Sequence, residues 1–218
     1  MDKVIEGKFR VLRADDEDIQ LQDVSAPSGV FVETKSDDYT SKQEELIQSL
    51  RPGYLIVANI ASETVADGSI TIDGITRADN LWYFITIDIV EETEFHFVDS
   101  VSQVPAIAES LSELLDHSTA AGPHAAIRNG EEILGYISVS SAIASSNMWN
   151  GLRAGTNSHE IAIDHLLRDL SEPPYEVIYT RTQDREWLVF YHLCKKDTPL
   201  ANSIIESGTN LSTSTTIR

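Results

Sequence analysis

Residues 49–61 read SLRPGYLIVANIA. Pro52 cannot continue a helix and disfavours helical geometry at Arg51, and Gly53 tolerates a turn with positive φ. The apolar run Tyr54–Ile60 that starts at once reads as a strand. The stretch is a helix-to-strand joint, and its surroundings decide what kind of domain needs it. On its N-terminal side Ser41 caps a helix running to Leu50, with Glu44 at capping-box spacing and Leu46, Ile47 and Leu50 on one face. Further upstream, residues 7–13 and 19–24 read as a hairpin around the polar turn 14–18, and Val30–Thr34 as a third strand. Downstream, SITIDGITR (69–77) reads as a strand with a bulge near Gly74, and LWYFITIDIV (81–90) as another. Strands, one short helix and more strands pack naturally as a five- or six-stranded, partly open barrel of OB type, with the joint as a barrel corner.

The second half has a different rhythm. Ile107, Leu111, Leu114 and Leu115 give an amphipathic helix over 104–117. HAAIRN (124–129) and ILGYISVS (133–140) form a hairpin around Asn129-Gly130. Residues 142–152 read as helical. Asn157 caps a further helix with Glu160 three residues on and Ile163, Leu166, Leu167 and Leu170 buried. YEVIYTR (175–181) and EWLVFYHLC (186–194) form a second hairpin, and a short helix follows near Pro199. The fold class expected is α+β: an OB-like β-barrel over 1–98, then an α+β domain over 99–206 with helices on one face of a mainly antiparallel sheet. Residues 207–218, SGTNLSTSTTIR, read as a disordered tail by composition.

Charge narrows the setting. Asp and Glu number 35 against 16 Lys and Arg, a formal net charge of −19. The acidic pairs are dispersed (37–38, 44–45, 91–92, 131–132), so they form a surface rather than a binding tail. Such a surface suits multimolar salt, where a Debye length of ~3 Å at 1 M removes most self-repulsion. A single cysteine, Cys194, excludes an intramolecular disulfide. No signal-peptide core and no membrane-length apolar run is visible, so the expected location is the cytoplasm.

The ordered set FRVLRADDEDIQLQDV, LRPGYLIVANI, NGLRAGTNSHEIAIDHLL and EPPYEVIYTR resembles an uncharacterised protein family of halophilic archaea with an OB-like N-terminal half. The resemblance spans residues 7–205. It implies the two-part layout and the salt-adapted surface, and it implies no activity.

Candidate sites compete with plain structural readings. His159 and His165 are six residues apart, about 600° around a helix, and so do not form a zinc-protease face. Asp164-His165 are neighbours on a helix that do not face each other, and no G-x-S-x-G elbow exists. Cys194 ends an apolar strand and reads as a buried hydrophobe, with His192 on the same strand face as a conceivable base. Asp15-Asp16-Glu17-Asp18 lacks the spacing of a calcium loop. The glycine-rich step GLRAGTN (151–157) leads into a helix N-terminus that could hold an anion or small ligand through Arg153, Asn157 and His159. On the barrel half, Arg10, Arg51 and Arg77 with Trp82, Tyr83 and Phe84 could form a single-stranded nucleic-acid platform. No catalytic set, metal site or cofactor motif is expected. The reading favoured is a non-enzymatic binding or assembly module with a protein partner. Nucleic-acid binding through the barrel, and small-molecule binding or catalysis in the C-terminal half, stand as alternatives.

Overall fold

The computed structural model describes residues 3–15, 18–25, 29–33, 39–64, 71–72, 75–76, 80–101, 124–154, 157, 159, 175–183 and 187–210. They fall into two compact units, one ending at Glu92 and the other beginning at Thr93. The chain is mostly β, with three helices among the described residues, and is of α+β type.

The first unit contains β1 (Lys3–Ala14), β2 (Asp18–Asp23), β3 (Gly29–Glu33), α1 (Ser41–Ser49), β4 (Leu55–Thr64), β5 (Thr71–Ile72), β6 (Ile75–Thr76) and β7 (Asn80–Glu91). Five strands make an antiparallel sheet in the order β3-β2-β1-β4-β7. Ile56, Ala58 and Ile60 of β4 face Phe9, Val11, Ile19, Leu21 and Phe84 in the core, with Ile47 and Leu50 of α1. Register shifts at Val11/Arg13, Leu55/Ile56 and Asn59/Ile60 bend the strands, as bulges do. The edge strands β3 and β7 approach each other. Among the described residues no ladder joins them, so the sheet does not close into a barrel by hydrogen bonds. Two local expectations are corrected. The N-cap of α1 is Thr40, not Ser41, with Gln43 completing the capping box: the side chains of Thr40 and Gln43 each satisfy the other's backbone N–H. The stretch 69–77 is not one bulged strand; β5 and β6 pair with each other as a separate antiparallel ribbon.

The joint at 50–54 is fastened on three sides. Leu50 turns extended, with ψ 141°, and Gly53 takes φ +101°. Gly53 N donates to Val11 O at 2.7 Å, and Val11 N to Tyr54 O at 2.9 Å. Beneath the corner the Arg10 guanidinium, 1% exposed, donates to Gly53 O and to Glu91 Oε1, both at 2.8 Å.

The second unit contains β8 (Glu94–Val101), β9 (His124–Asn129), β10 (Glu132–Ser141), α2 (Ala142–Ala154), β11 (Glu176–Thr182), β12 (Trp187–Leu193), α3 (Pro199–Glu206) and β13 (Thr209–Asn210). The sheet order is β13-β8-β11-β12-β10-β9, mixed because β8 and β11 run parallel. Residues 94–98, counted with the first half in the sequence reading, lie in this second sheet. The helices cover both faces, not one. Trp149 and Leu152 of α2 pack on Phe95, Phe97, Val177, Tyr179, Leu188 and Phe190. Ala201 and Ile204 of α3 pack on the alternate residues Val98, Ile178, Val189 and Tyr191. Strands buried on both faces carry unbroken apolar runs, which is what VIY (177–179) and LVFY (188–191) are. Residues 207–210 are not a tail. The Ser207 hydroxyl donates to Ile204 O at 2.7 Å, and β13 pairs with β8. A Cβ on Gly208 would lie 2.6 Å from Asp99 O, so that approach requires glycine. The expected helix over 104–117 lies outside the described residues, as do nearly all of 157–170 and all of 211–218.

Truncating a buried charged partner leaves the other polar groups uncompensated. Arg10→Ala is therefore expected to lower the unfolding free energy by about 3 kcal/mol in urea titrations, and Arg10→Met with Glu91→Leu to recover part of it.

Candidate ligand site at the end of the second-unit helix

The GLRAGTN step begins on the last turn of α2. A helix leaves its final carbonyls without intrahelical partners. Here the returning chain supplies them. Asn157 N donates to Gly151 O at 3.0 Å, and Asn157 Nδ2 reaches Met148 O at 3.4 Å. The carboxamide lies so close over Gly151 that a Cβ there would meet it at 2.5 Å. His159 Nε2 lies 2.9 Å from Leu152 O. A carbonyl only accepts, so this nitrogen carries the proton. In the neutral ring Nδ1 then accepts from the Tyr179 hydroxyl, 2.9 Å away. The ring stacks on Phe95 with centroids 4.6 Å apart and is 0% exposed.

The structure thus brings Asn157 and His159 together as the C-terminal cap of α2. Arg153 stands half-buried on the same last turn, where a cation complements the helix dipole. Among the described residues no hydrogen bond or ion pair joins it to Asn157 or His159.

The first-unit set is distributed differently. Arg10 is buried against Glu91. Arg51 is exposed but turned onto its own helix, donating to Gln48 O at 3.0 Å and Leu50 O at 2.7 Å. Arg77 lies outside the described residues. Phe84 is inside the core, with Trp82 and Tyr83 packed partly buried against it. Arg10 and Arg51 therefore do not converge with aromatics on a surface. At the β1–β2 turn, Arg13 pairs with Asp15 at 3.2 Å and Asp18 at 2.5 Å, and Asp15 Oδ1 accepts from Asp18 N. Among the described residues no group of three His, Cys, Asp or Glu is placed to hold a metal ion. None of their helices is long and apolar enough to cross a membrane.

Cys194 is half-buried, and burial pushes its thiol pKa up, with the Lys195 charge pulling weakly the other way. Thiolate is the reactive form, so this environment is opposite to that of a catalytic thiol. Two polar clusters had no local signal in the sequence. Arg181, which closes the EPPYEVIYTR motif, forks onto both carboxylate oxygens of Asp99 and lies 5.2 Å over the Trp149 ring. Glu176, buried, accepts from Asp197 N at 3.1 Å and faces His96 Nε2 at 3.3 Å. Asp99 and Arg181 stand 82 residues apart, beyond the reach of any motif.

A family model matches residues 1–209; its description is a family of unknown function, DUF6663. The chain belongs to this family. No curated protein and no solved structure matches it. The match extends over both units and spans the residues of the Arg10 corner and the His159 cap.

Two hydroxyls in the second unit predict opposite mutant behaviour. Tyr179→Phe removes the group facing His159 Nδ1 and should cost about 1–3 kcal/mol. The Tyr191 hydroxyl is buried with no hydrogen-bond partner among the described residues, so Tyr191→Phe should be neutral or stabilising by up to about 1 kcal/mol. Denaturation of both variants checks this. Burial also raises the Tyr191 pKa from its usual 10.0. Above that value the unfolded chain ionises while the buried hydroxyl stays neutral, so stability falls as pH rises beyond it, and Tyr191→Phe should flatten this alkaline loss. At Cys194, modification by a disulfide reagent at neutral pH should be slower than for a small free thiol. Its rate should still be climbing where the free thiol has levelled off.

Proposed function

We propose that the chain is a non-enzymatic binding or assembly module of a salt-rich cytoplasm, with an OB-type first unit. The observation that carries this reading is the enclosure of His159. The imidazole with the best claim to ligand or acid–base chemistry has both ring nitrogens engaged within the core. The raised thiol of Cys194 points the same way. The OB assignment rests on the strand order β3-β2-β1-β4-β7, on α1 between β3 and β4, and on the approach of β3 to β7. The haloarchaeal setting rests on the net charge of −19 and on its dispersal, which high salt tolerates.

That strand order also favours a second reading, single-stranded nucleic-acid binding on the first unit, with Lys8 and Arg51 among its exposed cations. The burial of Arg10 and the acidic β1–β2 turn weigh against it, because phosphates need uncompensated positive charge.

Polarisation titrations with labelled single-stranded DNA and RNA in multimolar KCl separate the two. No saturable binding by folded protein is expected, together with a sedimentation mass above the monomer or a mass shift with a protein partner. Saturable binding weakened by Lys8→Ala and Arg51→Ala would replace the assembly reading with the second. For the setting, melting should be at least ~10 °C higher in multimolar KCl than at low salt; equal midpoints would sink the salt-adapted reading.

A further inference from the structure

The dipeptide Asn-Gly occurs twice among the described residues, at 129–130 and 150–151, and the fold places the two copies in opposite environments. Asn129 and Glu132 are paired across β9 and β10, so Gly130 and Glu131 form a two-residue hairpin loop. Gly130 takes φ +63°, and Glu131 is not among the positive-φ residues. A glycine at the first central position is the pattern of a type II′ turn. Asn129, Gly130, Glu131 and Glu132 are all exposed, and nothing stands within 4 Å of where a Gly130 Cβ would be. At the second copy, Asn150 is exposed but Gly151 is buried inside α2. Its amide belongs to the helical ladder, and the Asn157 carboxamide covers it.

The geometry points to Asn129-Gly130 as a site of spontaneous deamidation, with Asn150-Gly151 protected by the helix. The backbone nitrogen of Gly130 attacks Asn129 Cγ and gives up its proton. Ammonia leaves with the side-chain nitrogen, and a five-membered imide forms. Water then opens either imide carbonyl, leaving aspartate or isoaspartate at position 129. The step needs no oxidant, metal or enzyme. It needs a neighbour without a Cβ and a backbone free to bend toward the carboxamide, which glycine in an open turn provides and a helix interior does not. The product adds a negative charge beside Glu131 and Glu132. The nearby cations are Arg128, which directly precedes Asn129, and Lys195, whose Nζ lies 2.5 Å from Glu132 Oε1. Isoaspartate also lengthens the main chain by one carbon at the residue that sets the hairpin register.

The test is peptide mapping with isoaspartate detection after incubating the folded chain in multimolar KCl at mildly alkaline pH, beside a denatured sample. In the folded chain Asn129-Gly130 should convert roughly tenfold or more faster than Asn150-Gly151, whose reaction must wait for local opening of α2. In the denatured chain the two should convert at similar rates. Gly130→Ala should slow the first site, and Asn129→Gln should abolish it. Equal rates in the folded chain, a faster second site, or no conversion at 129 while the denatured chain reacts would each overturn the inference. The readout in wild-type protein does not depend on any variant folding.

Discussion

The first unit turns on one buried guanidinium. Arg10 sits on β1, yet its partners lie on the α1–β4 corner and at the end of β7. A cation taken out of water is tolerated only with good geometry and satisfied hydrogen bonds. Both requirements are met here only if β1, the Gly53 corner and β7 come together in this register. Arg10 therefore contributes less as raw stabilisation than as a condition on strand order. The stretch SLRPGYLIVANIA becomes a corner because Gly53 can present its carbonyl to that charge while its N–H goes to Val11.

The second unit solves a related problem differently. A mixed sheet buried on both faces has no solvent side on which to place polar atoms. The unmatched carbonyls at the end of α2 therefore have to be met within the protein. Asn157 and His159 meet them, which explains a fully buried histidine without invoking a ligand. The Asp99–Arg181 fork lies against Trp149 and ties the parallel pair β8/β11 to the same helix.

Much of this was legible in local sequence. The three hairpins, the α1 face of Leu46, Ile47 and Leu50, the corner at Pro52-Gly53, and α3 follow from periodicity and turn chemistry. What escaped has physical reasons. The cap at Thr40 competes with Ser41 because both are good N-caps, and tertiary packing chooses between them. The two-faced second sheet was encoded in the unbroken apolar runs of β11 and β12, but such runs resemble any buried segment until the neighbours are known. The burial of Arg10 was invisible, because an alternating strand places arginine on the outer face and the partners that make burial tolerable include Gly53 O, 43 residues on, and Glu91, 81 residues on. For the candidate sites, the sequence singled out Asn157 and His159 as ligand-binding residues, and the structure places both at the C-terminal end of α2. The same signals, a small residue, an Asn and a His after a helix, serve equally for a cap and for a ligand.

The strand that opens the second unit is also among the last to be completed. β8 takes β11 on one edge and β13 on the other, so Asp99 waits for Thr209. The first unit pairs strands that follow one another closely, apart from the single return of β4 to β1. On a ribosome delivering the chain from its N-terminus, the described strands β1 to β7 have their ladder partners while β8 still shows two open edges. Such unpaired edges invite association with other chains. The tight seat that Gly208 allows against Asp99 thus has a role in time as well as in space: it seals an edge of β8 that stands open until residues 209–210 have been made.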